Sequence, residues 1–227
     1  MNRLMPKVLI FGTFFGSCAI IGLLLSALVT NSWIVSGVSY ISQKTNVTEK
    51  TKWGSIQFGL FNYQKALNHG YGVRHEPPYS VLEIIKKEEQ FTDYWLWLST
   101  ALGTGFALFA SAIAAVASVV TTIKTKGGMT WLKFSNVITG CGQLVAIICW
   151  SVQFFYYFNH NVLLSEEKQR WTSEGQTKFG FSFYFLVFSF LAVIVNLILL
   201  TFSVRMENSN KSSEPINEKE GNSIMLY

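Results

Sequence analysis

Charged side chains are missing from four long stretches of the 227-residue chain and crowded between them. The charge-free runs cover 8–40, 94–123, 134–160 and 179–204, and the apolar part of the first ends between Val29 and Ile34. A hydrocarbon core of ~30 Å takes about 20 residues of helix at roughly 1.5 Å each. Every run reaches that length, and none is broken into the short alternating segments of a barrel. The pattern predicts spanning helices over 8–34, 94–123, 134–158 and 179–204. The first apolar stretch, about 22 residues, exceeds the roughly 7–15 of a secretory leader and is read as a retained helix.

Between the runs the pattern changes. In the connection 35–93, Val35, Val38 and Ile41, then Trp53, Ile56 and Phe58, alternate with Ser and Thr, as short strands do. Residues 56–62 read IQFGLFN, with four apolar or glycine residues in a row. Gly59 is expected at a bend or close approach, with Leu60 and Phe61 tucked against the helix tops. Residues 79–85, YSVLEII, read as a short helix or strand leading to the second span. The connection 124–133 holds Gly127 and Gly128 and reads as a tight turn, making the second and third spans antiparallel neighbours. The tail 205–227, rich in Asn, Ser, Glu and Lys, lacks the apolar residues for a core and reads as disordered. The expected fold is a membrane all-α four-helix transmembrane bundle carrying a small extracellular antiparallel β-sheet.

Charge sets the expected orientation. Charged residues make up 14% of the chain, against roughly 25% in a soluble domain. The N-terminal segment 1–7 has Arg3 and Lys7 and no acid, and 124–133 has Lys124, Lys126 and Lys133 and no acid. Connection 159–178 balances Lys168, Arg170 and Lys178 with Glu166, Glu167 and Glu174. Acid-free basic segments stay in the cytoplasm. Both termini are therefore expected inside, and 35–93 and 159–178 outside, in a multi-pass plasma-membrane protein. The net charge of +5 is largely this orientation signal and not a nucleic-acid footprint. Cys18, Cys141 and Cys149 all fall in spans, so the outer loops have no thiol for a disulfide, and the three read as packing residues.

Within the spans, small residues recur at close-packing intervals: Gly12 and Gly16, then Gly103, Ala107, Ser111 and Ala115. Such faces let helix backbones approach. Packing within one bundle is the reading taken, a homodimer seam the alternative, and the oligomeric state stays open. Asn136, Gln143, Gln153 and Asn196 are neutral polar residues suited to bonding between helices. No ionisable residue lies at mid-depth and no predicted span contains proline, so the marks of pumps and broken-helix transporters are missing. A channel or transporter subunit remains the rival reading.

Little suggests catalysis. His69, His75 and His160 are the only histidines, and His75 beside Glu76 has no second ligand at a workable spacing. No GxSxG, HExxH or P-loop occurs. No catalytic residue, cofactor or metal is expected. Asn46 opens an Asn-Val-Thr sequon in the outer loop, making the chain a candidate glycoprotein, whereas the sequon at Asn210 lies in the inner tail. The chain ends Met225, Leu226, Tyr227, apolar at its last and third-last positions. That end suits a PDZ scaffold's strand-addition pocket, or is a polar tail that happens to end apolar.

These motifs together resemble a known family. A Trp after span one, a Gly-Leu-aromatic motif in a long first outer loop, and four spans are similar to the claudin-like four-span superfamily. Gly59 and Leu60 match the claudin motif, but Phe61 replaces its Trp and the following cysteine pair is absent. The chain is closer to the clarins. Asn31, Ser32, Trp33 and Ile34 resemble their post-helix Trp-Ile, and Phe58, Gly59, Leu60 and Phe61 their Tyr-Gly-Leu-Phe. Leu164, Ser165 and Glu166, residues 179–183 (FGFSF) and residues 224–227 (IMLY) resemble later clarin motifs in the same order. Residues 79–85 look most like the cysteine-poor third type of clarin. The resemblance implies a non-enzymatic plasma-membrane glycoprotein that organises contacts with other membrane proteins. It also implies an association with sensory cells.

Overall fold

The computed structural model describes residues 4–41, 48–88, 91–123 and 125–212. Four of its helices are long and apolar enough to cross a membrane: α1 (Leu4–Val29), α3 (Tyr94–Ile123), α4 (Thr125–Gln153, continued by a π-helical turn at Phe154–Phe158) and α5 (Phe181–Ser212). They form a ring in which α1 touches α3 and α5, and α4 touches the same two. A short fifth helix, α2 (Val81–Lys87), lies between α1 and α3 in sequence.

Three of the four long helices run past one end of their charge-free stretch, whereas α3 coincides with its own. Helix α1 takes in Pro6 in its first turn, where the missing N–H costs no helix bond. Helix α4 starts at Thr125, so the polar stretch read as a turn is helical from there on. Helix α5 runs on to Ser212, so the tail is helical across 205–212 as well. Lys, Arg and Glu are good helix formers, and hydropathy marks where apolar surface ends, not where a helix does.

The bundle is apolar outside and partly polar inside. Phe11, Phe15, Phe106, Phe109 and Phe188 point outward. Ser182, Ser189, Asn196 and Ser203, seven residues apart on α5, are buried. Asn136, Gln143 and Trp150 repeat that spacing on α4, also buried. A seven-residue repeat on neighbouring helices is the mark of left-handed, coiled-coil-like packing. The inward groups bond mostly at short range. Gln143 Nε2 donates to Ser189 Oγ at 2.7 Å, and Asn136 Nδ2 to Leu132 O at 2.8 Å. Ser203 Oγ donates to Pro6 O at 3.0 Å, joining the end of α5 to the start of α1.

On the opposite end of the bundle sits an antiparallel sheet. Its strands are β1 (Ile34–Ile41), β2 (Thr48–Phe58), β3 (Asn62–Asn68), β4 (Val73–His75), β5 (Tyr79–Ser80), β6 (Trp171–Thr172) and β7 (Thr177–Phe179). The order is β4-β3-β2-β1-β6, with β5 also beside β3 and β7 also beside β1. The connection 159–178 thus completes a sheet begun by 35–93: Ile34 faces Phe179 and Ser39 faces Thr172. Ile34, Ser36 and Val38 of β1 point inward with period two. One apolar core runs without a break from Ile20 and Leu24 of α1 to Val38 and Ile56 of the sheet. A smaller one, Ile10, Ala114, Leu132 and Leu200, closes the far end.

Candidate functional site

The junction of sheet and bundle is built on the FGLF stretch. Strands β2 and β3 form a hairpin in which Phe58 pairs with Tyr63 and Gly59 N–H donates to Asn62 O at 2.8 Å. Leu60 and Phe61 are its two tip residues. Side chains of adjacent tip residues diverge, so Leu60 is buried while Phe61 stays 46% exposed. The expected tuck against the helices thus holds for Leu60 and fails for Phe61. Phe58 is fully buried instead. Its ring lies 4.9 Å from Phe158, 5.7 Å from Phe91 and 5.9 Å from Trp150, between centroids.

Three tryptophans hold this hairpin down. Trp33 N–H donates to Phe58 O at 3.0 Å, and its indole donates to Ala27 O at 2.7 Å, tying strand to helix end. Trp150 meets Trp33 edge to face at 4.8 Å. Trp97 of α3 donates its indole N–H to Leu60 O at 2.8 Å. Gly59 is needed because any Cβ there would come within 2.8 Å of Asn31 Cα, a backbone atom that cannot turn away.

A second contact joins the connection 35–93 to the connection 159–178. Lys65 of β3 is 9% exposed and ion-paired with Glu76 at 3.0 Å and with Glu167. The Glu88 carboxylate accepts from Ser165 N–H at 3.1 Å and from its hydroxyl at 2.9 Å. Tyr79 donates its hydroxyl to Glu76 at 3.0 Å. Beside them lies a cleft of about 310 Å³, lined in part by Lys65, Glu83, Lys87, Glu88, Glu166 and Glu167. The exposed Lys87–Glu166 pair at 3.7 Å adds little, as screened surface pairs do.

Titration follows from this burial. Burial pushes the Tyr63 phenol well above its usual value, and the carboxylates of Glu167, Glu76 and Glu88 push the same way. Burial by itself lowers the Lys65 ammonium, but its bonds to Glu167 and Glu76 outweigh that and hold it above the lysine value. Both groups keep their protons to higher pH in the fold than in the unfolded chain. Their contribution is complete below the unfolded values, about pH 10, and fades as pH rises through the folded ones. Thermal midpoints in detergent should therefore fall as pH rises above about 10, and less steeply for Tyr63→Phe. Equal slopes would remove Tyr63 from the account.

No protein-family model matches the chain, and no curated protein matches it either. The site therefore rests on its own geometry. Among the described residues, no group of three or more His, Cys, Asp and Glu side chains could hold a metal ion. Cys18, Cys141 and Cys149 are free thiols.

The remaining sequence candidates fall in several places. Gly103, Ala107, Ser111 and Ala115 are buried. A Cβ on Gly103 would meet Gly142 O at 2.8 Å, so α3 and α4 approach there backbone to backbone. Gly12 and Gly16 part company: Gly16 lies against the Asn196 side chain, whereas nothing lies within 4 Å of a Cβ at Gly12. Asn46, Met225, Leu226 and Tyr227 lie outside the described residues. The sequence pattern does not single out Trp97, Trp150, Lys65 or Glu167 as junction residues. A charged residue in a strand ordinarily reads as a solvated face, and nothing along the chain marks Lys65 as enclosed.

The far end of the sheet is differently built. Strand β3 climbs six residues from Asn62 to Asn68, about 20 Å at roughly 3.3 Å each. There Asn68 Oδ1 accepts from the N–H groups of Gly70 and Gly72 at 2.9 and 3.2 Å, and both glycines have positive φ. This braced tip presents Tyr71 fully exposed, with Trp53 half-exposed on β2.

Proposed function

We propose that the chain is a multi-pass plasma-membrane protein with both termini in the cytoplasm and the sheet outside. It organises contacts among cell-surface proteins and catalyses no reaction, as its clarin-like motifs imply. The observation that carries this reading is the contrast between the two ends of the sheet. One end is fastened to the bundle through Trp33, Phe58, Leu60 and Trp97, while the other holds Tyr71 and Trp53 out to solvent. Large amphipathic aromatics on a rigid support are what protein interfaces use as anchors. The basic Lys7, Lys133 and Arg205 belong to the sheet-free ends of their helices, as an inner face requires. A glycan on Asn46 and a PDZ scaffold at Tyr227 belong to the same reading.

Proximity labelling from the intact chain on cells tests it, compared with Tyr71→Ala/Trp53→Ala. Labelled surface proteins should be lost from the variant while delivery of the chain to the surface is unchanged. Identical labelling would refute the organising role. A tag inserted after Gly70 should be reached by antibody without permeabilisation, and a tag hidden until permeabilisation would refute the topology.

One observation favours the rival, a channel or transporter subunit: Gln143 Oε1 and Trp150 Nε1 are buried in the bundle without a partner. Ion flux into liposomes that scales with protein density and disappears with Gln143→Leu would decide for it.

A further inference from the structure

A groove runs down the outer face of α5 at the sheet-free end of the bundle. Its volume is about 360 Å³, and its wall is Ile194, Leu197, Ile198, Thr201 and Phe202, ending at Arg205. Thr201 donates its hydroxyl to Leu197 O at 2.8 Å, so it spends its proton on its own helix and leaves the wall apolar. Arg205 is the first charged residue after the run 179–204. Among the described residues it has no carboxylate partner. Glu207 stands two positions on, which on a helix does not share a face with it. From Ile194 to Arg205 the helix advances about 16 Å at roughly 1.5 Å per residue. That is close to half of a ~30 Å hydrocarbon core. The groove therefore has the length of one leaflet, with the Arg205 guanidinium where headgroups begin.

We infer that this groove is a binding site for a single anionic phospholipid. One acyl chain lies along Ile194–Phe202, and the phosphate is held by Arg205. Guanidinium matches phosphate geometry with two parallel N–H donors, so Arg205 selects a phosphate left accessible by a small headgroup over one screened by choline. On the orientation proposed above, the lipid comes from the cytoplasmic leaflet. The inference rests on that membrane reading.

The test uses the full chain, purified and reconstituted into nanodiscs of phosphatidylcholine with a minor share of phosphatidic acid. Failure to co-elute with the discs would sink the membrane reading itself, a result distinct from those that follow. Bound lipid is counted by native mass spectrometry after release. The wild-type chain should retain phosphatidic acid about fivefold over its share in the disc, the size expected of one basic residue near a membrane surface. Arg205→Gln, an exposed change that leaves the fold intact, should bring the ratio to parity. Thr201→Trp, which fills the groove and keeps the guanidinium, should do the same. Enrichment that survives either variant overturns the site, because it would then come from the general basic flank. Displacement by millimolar inorganic phosphate also overturns it, since the acyl groove would then contribute nothing.

Discussion

Phe58→Ala is expected to destabilise the folded chain by about 3–5 kcal/mol, the range for deleting a fully buried aromatic ring. Phe61→Ala, three residues along the same motif, should stay within about 0.5 kcal/mol of wild type, as exposed sites do. The contrast follows from where the two rings sit. Phe58 is enclosed by Trp150, Phe158, Phe91 and Tyr63, which come from α4, its π-helical turn, the lead-in to α3, and β3. Those neighbours belong to sheet and bundle alike and cannot all close over the cavity without breaking the core that joins the two. Phe61 lies at a hairpin tip and is about half exposed, and its backbone oxygen accepts from Val81 N–H at 2.9 Å. Its alanine keeps that bond. Unfolding of both variants in detergent, followed by near-ultraviolet circular dichroism, gives the comparison. Equal midpoints for the two would show that Phe58 does not organise the junction.

Lys65→Met should cost about 3–5 kcal/mol, because it leaves carboxylates beside a buried position with no cation. Glu167 is the more enclosed partner, at 15% side-chain exposure against 27% for Glu76, and its Oε2 already lacks a partner. Adding Glu167→Leu to Lys65→Met should recover most of the loss, since an apolar pair of similar volume replaces a desolvated ion pair at little cost. The local consequence is separable from global stability. Trypsin should cut after Lys168 and Arg170 faster in Lys65→Met than in wild type, because the ion pair with Glu167 is a main tether of that connection. Unchanged cleavage would mean that Glu88 and β6 hold the connection without Lys65.

The long apolar helices were plain along the chain. Four charge-free runs correspond to α1, α3, α4 and α5, and the spacing of small residues on α3 coincides with buried positions. Both ends of α3 were legible, but the start of α1, the start of α4 and the end of α5 were not, because Pro6, Thr125 and the stretch to Ser212 are excluded by polarity and not by helix propensity. Strands β6 and β7 are two and three residues long, too short for any period to show. They exist because β1 offers an open edge. Ser182, Ser189, Asn196 and Ser203 are a legible signal that hydropathy averaging hides. The close approach at Gly59 was legible in the FGLF stretch, but which of its rings is buried depends on hairpin register. A one-residue change of register exchanges the faces. Lys65 and Glu167, about a hundred residues apart, meet only through the tertiary fold.

Every long helix runs, directly or through a short connection, into a strand of one sheet: α1 into β1, β5 through α2 into α3, α4 toward β6, and β7 into α5. Mechanical load applied at the Tyr71 tip is therefore divided among four long helices instead of dragging on one. In the membrane orientation proposed above, that division makes the molecule hard to extract by a pull on its tip.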